Sequence, residues 1–131
     1  MNQPFRLGQR LQSFAYAVAG LRTLLRTQHN AWIHAAATLL VIAAALYFGL
    51  NAYEWLWLVL AMVLVWMAEA FNTALELLAD AVTRERHPLI GQAKDVAAGA
   101  VLLAALGALV IGVLVLGPHV VHALRQAIDG T

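Results

Sequence analysis

The sequence predicts an all-α integral membrane protein: an amphipathic interfacial N-terminal helix followed by three transmembrane helices. Three observations lead there. Of 131 residues, 63% are hydrophobic and 11% charged, against about 45–50% and 25% in soluble domains. Three apolar runs approach the ~20 residues that cross a bilayer. Ahead of them, apolar residues recur at the spacing of a helix rather than a strand. The length allows one membrane domain, residues 1–131.

The first element covers residues 5–28. Leu7, Leu11, Phe14, Val18, Leu21 and Leu25 return every four or three residues and form one face. Arginines flank that face and no acid precedes Glu54, which suits an anionic leaflet; packing against another helix is the alternative. The amino terminus is polar and arginine-bearing, so no cleavable signal peptide is expected. Residues 31–50 form the first span, interrupted only by His34 and Thr38. "NAYE", residues 51–54, offers an asparagine cap with a glutamate three positions on, the start of a second helix. That helix gives a second span over residues 55–82. A polar connection covers residues 83–95, and the third span, residues 96–116, is expected to end at Gly117-Pro118. Ala97, Ala100, Ala104 and Gly107 give it a small-residue face that lets helices approach closely.

Lysine and arginine fix the orientation. Arg6, Arg10, Arg22 and Arg26 precede the first span, and Arg84, Arg86 and Lys94 separate the second from the third. None lies between the first and second spans, and only Arg125 follows the third. The positive-inside rule therefore puts the amino terminus and the second connection in the cytoplasm.

The informative stretch is "EAFNTALELLAD", residues 69–80, which follows fourteen unbroken apolar residues. At 100° per residue, Glu69, Asn72, Glu76 and Asp80 fall within an arc of about 80°, with Thr73 beside them. Glu69 lies roughly 20 Å along the span, so the carboxylates begin inside the membrane and climb toward the cytoplasmic headgroups. An ionisable group there costs ~2.5 kcal/mol or more, and so marks function by default. One carboxylate in an apolar setting can accept a proton from an alcohol. Another, nearer water, can hold Mg2+ through oxygen and with it the phosphates of a nucleotide. Arg84, Arg86 and Lys94 in the connection, with Glu85, His87 and Asp95 among them, supply positive charge to neutralise a transferring phosphoryl group. The pattern reads as phosphoryl transfer to a substrate already in the membrane.

Other classes are excluded or disfavoured. There is no cysteine, hence no disulfide or thiolate chemistry. There is no G-x-x-x-x-G-K-[ST] loop and no protein-kinase motif set, so the nucleotide site is unconventional. No nucleic-acid partner is expected. A proton relay or small transport subunit using Glu69 is the rival reading. Against it, "WLWLVLAMVLVWMA" offers no polar path to the other face. A scaffold without chemistry leaves the clustering of Glu69, Asn72 and Glu76 unexplained.

At these residues the chain resembles the prokaryotic diacylglycerol kinases, a family that includes the undecaprenol kinases. "EAFNTALELLAD" fits the family's E-x-x-N-[ST]-A-x-E-x-x-x-D pattern, and "ERHPLIGQAKDVAAGAVLL" fits its following block. "YAVAGLR" and "HNAWIHAAAT" fit the earlier helix and its entry to the membrane. The likeness runs from about residue 10 to residue 117. It implies a homotrimeric enzyme of the bacterial inner membrane that transfers phosphate from Mg-ATP to a lipid alcohol, at sites between subunits. Glu69 would be the general base, and Glu76 would bind Mg-ATP with Asn72 beside it. Tyr16, Glu85, His87, Lys94 and Asp95 would contact the nucleotide, Asp80 would support the site, and Arg10, Arg22 and Ala98 would meet the lipid. Gln28 stands where the family usually has a second metal-binding glutamate, so it would ligate Mg2+ through an uncharged oxygen. "IH" at residues 33–34, "HPL" and "KDVAAGAVLL" look more like the undecaprenol-kinase branch. Ala98 stands where the diacylglycerol-specific branch tends to carry serine. The lipid itself, diacylglycerol or undecaprenol, stays open.

The remaining polar and aromatic residues take plainer readings. His119 and His122 are spaced like a helical metal pair but lack a third ligand, and read as a wet interfacial tail. His34 reads as a hydrogen-bonded interior histidine. Trp32, Tyr53, Trp55 and Trp57 read as interfacial anchors and Trp66 as packing.

Overall fold

The computed structural model describes residues 7–83 and 85–129. Four helices account for nearly all of them: α1 (Leu7–Thr27), α2 (His29–Phe48), α3 (Ala52–Val82) and α4 (Pro88–Asp129). Arg6 and Arg84 lie outside the described residues. The helices α2, α3 and α4 are each long and apolar enough to cross a membrane. Large apolar side chains on them, among them Leu39, Leu40, Leu64, Leu103 and Leu114, face outward. Such a surface suits lipid or other protein helices rather than water.

A single residue divides α1 from α2. Gln28 adopts extended backbone (φ −110°, ψ 119°) and caps α2 without a side-chain bond to it. Its N–H still reaches Leu24 O at 3.1 Å, so the chain turns with little loss of backbone pairing. Along α1, Leu24 is buried, whereas Leu11, Phe14, Val18, Leu21 and Leu25 are exposed. The apolar face seen in the sequence is thus uncovered within one chain.

The hairpin joining α2 and α3 is tightly built. Gly49 takes the left-handed conformation (φ 65°, ψ 45°), which costs a glycine almost nothing. Gly49 N–H donates to Leu46 O and Leu50 N–H to Ala45 O, at 3.3 and 3.1 Å. This closing pattern satisfies carbonyls that the helix end would otherwise leave free. Asn51 Oδ1 then accepts from the N–H groups of Tyr53 and Glu54, and Glu54 Oε2 accepts from Asn51 N–H at 2.8 Å. The capping box read from "NAYE" is present. Leu50 and Leu58 are buried with Ala45, and Phe48, Met62, Ile111 and Val115 pack around them.

Two boundaries differ from the sequence expectation. The connection between α3 and α4 is shorter than residues 83–95, because Pro88 already opens α4; proline suits a first helical turn, where its missing N–H has no partner to lose. At the far end α4 passes through Pro118 and continues to Asp129, rather than stopping at Gly117-Pro118. A proline inside a helix removes one backbone bond and crowds the preceding turn. Here the continuation is held from outside: His119 Nε2 lies 2.7 Å from Glu54 Oε1, and Phe48 stacks on the imidazole at 5.8 Å. The packing of α3 is mainly against α4, more lightly against α2. Ala97 and Val101 are the buried residues of α4, whereas Ala100 and Gly107 on the small-residue face stay exposed.

Candidate active site

The polar stripe on α3 keeps its helical register in three dimensions. Glu69 is 0% exposed, and Asn72 and Thr73 are also buried. Among the described residues, neither oxygen of Glu69 has a hydrogen-bond partner, nor do Asn72 Oδ1 and Thr73 Oγ1. Buried polar atoms are almost always paired, because an unpaired one forfeits its hydration for nothing. Four such atoms within two turns of one helix mark this stretch as a candidate site.

One turn on, the situation changes. Glu76 Oε2 accepts from Gln28 Nε2 at 2.9 Å, and Glu76 Oε1 accepts from Asn72 Nδ2 at 3.2 Å. Gln28 is free to reach across because it does not cap α2. Its amide and that of Asn72 therefore flank one carboxylate at the junction of α1, α2 and α3. Both amides present their N–H groups to the carboxylate; turned about, their carbonyl oxygens would join it in a set of hard oxygen donors. Such a set fits a magnesium ion, and the orphaned Asn72 Oδ1 is consistent with that use. Nearer the end of α3, Asp80 Oδ1 lies 3.2 Å from Lys94 Nζ on α4. This exposed ion pair straps the start of α4 across the end of the stripe.

Two apolar-walled hollows adjoin α3, one on each side of it. One, about 630 Å³, lies between α2, α3 and α4 and is lined by His34, Thr38, Val65, Ala105 and Leu109 among others. The second, about 560 Å³, lies under the α3–α4 connection and is lined by Leu78, Val82, Glu85, His87 and Ile90 among others.

Comparison with known proteins matches the sequence to the family description "Prokaryotic diacylglycerol kinase", over residues 15–116. The chain belongs to that family. It is 36% identical over 112 residues to the undecaprenol kinase of Bacillus subtilis, covering 86% of this chain and 91% of the relative. It is 44% identical over 109 residues to a diacylglycerol kinase of Synechocystis, covering 82% of this chain and 62% of that longer relative. With the diacylglycerol kinase of Escherichia coli K12 the identity is 30% over 116 residues, 83% of this chain and 89% of the relative. This protein is a lipid kinase of the membrane.

Within one chain, the residues expected at the lipid-kinase site are only partly gathered. Glu69, Asn72, Glu76 and Gln28 form one group, and Asp80 pairs with Lys94. Glu85 and His87 line the hollow on the opposite, apolar side of α3, and the Glu85 N–H donates to Thr83 Oγ1 at 3.0 Å. Tyr16 is exposed on α1, where Gln12 Nε2 donates to its hydroxyl at 3.3 Å. Arg10 and Arg22 on α1, and Asp95 and Ala98 on α4, are exposed. One contact was not foreseen: His34 Nε2 on α2 lies 3.8 Å from Glu69 Oε2. Close by, Trp66 Nε1–H donates to Thr38 Oγ1 at 3.1 Å, joining the same two helices.

Proposed function

We propose that the protein phosphorylates the hydroxyl of a membrane lipid alcohol, diacylglycerol or undecaprenol, at the expense of Mg-ATP. The observation that carries this reading is Glu69, a fully buried carboxylate whose two oxygens lack partners, at the inner end of a stripe leading to Glu76. Both substrates offer one hydroxyl at the level of the headgroups with hydrocarbon below it. The apolar hollow beside Glu69 suits that hydrocarbon. The names of the relatives include both activities and do not choose between them.

Glu69 acts as general base: it takes the alcohol proton as the oxygen attacks the γ-phosphorus, and ADP departs. The water-poor surroundings favour transfer of the proton to a carboxylate that has no other donor. Glu76, with Gln28 and Asn72, would hold the metal and through it the nucleotide phosphates. Bound there, Mg2+ supplies positive charge to the phosphoryl oxygens. Gln28 contributes an oxygen without charge, so metal binding is weaker than a second glutamate would give. Tyr16, Glu85, His87, Lys94 and Asp95 contact the nucleotide, Asp80 steadies Lys94, and Arg10, Arg22 and Ala98 meet the lipid.

The scattering of these groups within one chain supports a site completed between subunits of a homotrimer. The exposed apolar face of α1 supports an interfacial helix. With the arginine and lysine distribution, the active face is cytoplasmic in a bacterial inner membrane.

The test is transfer of labelled γ-phosphate by purified protein in mixed micelles, with each lipid offered separately. Label in one lipid fixes the substrate. Label in neither, with Mg-ATP bound, overturns the reading.

A further inference from the structure

The geometry points to His34 as the positioning residue for Glu69: its imidazole donates to one carboxylate oxygen and leaves the other for the substrate hydroxyl. The inference rests on the kinase reading above and deepens it at the same site. Glu69 Oε2 is the oxygen facing His34, at 3.8 Å from Nε2. That is too long for a hydrogen bond, yet it is the approach from which one forms by a small side-chain rotation, as catalytic pairs commonly tighten when substrate arrives.

Three features make the approach specific. Glu69 is buried with no donor among the described residues, so none of these fixes the plane of its carboxylate. His34 is only 15% exposed. Among the residues lining the adjacent apolar hollow it alone carries an imidazole, and none carries a carboxylate or an ammonium. Finally, a second rung between the same helices sets their spacing. Thr38 lies one turn after His34 on α2, and Trp66 lies one turn before Glu69 on α3. The bond between Trp66 Nε1–H and Thr38 Oγ1 clamps the helices there, and the edge of the indole meets the His34 ring, 6.5 Å between centroids at 67°. An edge-on contact of this kind is favourable and restricts how the imidazole turns. The clamp holds the two helices at a spacing that keeps His34 beside Glu69.

A positioning imidazole has consequences that a packing histidine lacks. His34→Leu, similar in bulk but without a donor, should lower kcat roughly ten- to a hundredfold, with the KM for ATP and for lipid within about twofold of the parent. His34→Gln keeps an N–H donor and should retain most of the activity. In His34→Ala, imidazole added to the micelles should restore turnover in a saturable way, since the hollow next to the vacated site admits it. Parent-like kcat in His34→Leu overturns the inference. So does a loss shared equally by His34→Leu and His34→Gln without any response of His34→Ala to imidazole, which would mark a structural role. If the alanine variant fails to assemble, the comparison of leucine with glutamine decides alone. A parent protein that labels no lipid strikes the kinase reading instead, so the two failures are distinct.

Discussion

Glu54 and Glu69 lie on the same helix, and each meets a histidine from a neighbouring one. At the hairpin end, Glu54 is fully engaged: Oε2 takes the Asn51 N–H, and Oε1 stands 2.7 Å from His119. Phe48 stacks on that imidazole, and both side chains remain partly exposed. At the other end, Glu69 is buried beside His34 with neither oxygen satisfied. Structure is stabilised where a carboxylate has its donors; chemistry is available where they are withheld. On the proposed mechanism the first pair is structural and the second reactive.

The largest expected effect comes from removing the reactive acid. Glu69→Gln should cut phosphate transfer by a factor on the order of 10²–10⁴, while thermal stability holds or rises, because a buried acid without donors burdens the fold. Melting of the purified variant checks the second half. Next comes Glu76→Gln. It keeps the shape but loses the charge that Gln28 and Asn72 hold, so the Mg2+ concentration for half-maximal rate should rise roughly tenfold. An unchanged metal titration would remove Glu76 from the metal site.

The structural pair should behave in the opposite sense. Glu54→Gln or His119→Ala should lower the melting temperature modestly and leave turnover near that of the parent. The readout most sensitive to this is proteolysis of α4 beyond Pro118, which should quicken once His119 is released. The smallest effect is expected from Gln28→Glu. It restores a charged ligand and should lower the Mg2+ requirement a few-fold; a higher requirement would mean the added charge repels Glu76 instead.

What the sequence made legible follows from local rules. The stripe from Glu69 to Asp80 is readable because helical period alone puts those residues on one face, and the capping box because its partners are three residues apart. The pairing of His119 with Glu54 spans |i−j| = 65. No local pattern carries it, and "HVVH" beside a proline looked like a tail. For the same reason the continuation of α4 through Pro118 has no local signal: what holds it, Phe48 and Glu54, is on α2 and α3. His34 was nearer to being readable. The glycine turn after α2 and the cap of α3 make an antiparallel hairpin, and His34 and Glu69 lie about equally far from it, as do Thr38 and Trp66. Folding the sequence about that turn would have placed each opposite its partner.

The most direct measurement is labelled γ-phosphate transfer by Glu69→Gln and Glu54→Gln, assayed side by side at equal folded concentration on whichever lipid the parent labels. The first should be silent and the second close to the parent. Transfer by Glu69→Gln, or equal loss in both, would contradict the assignment of reaction to the unsatisfied acid.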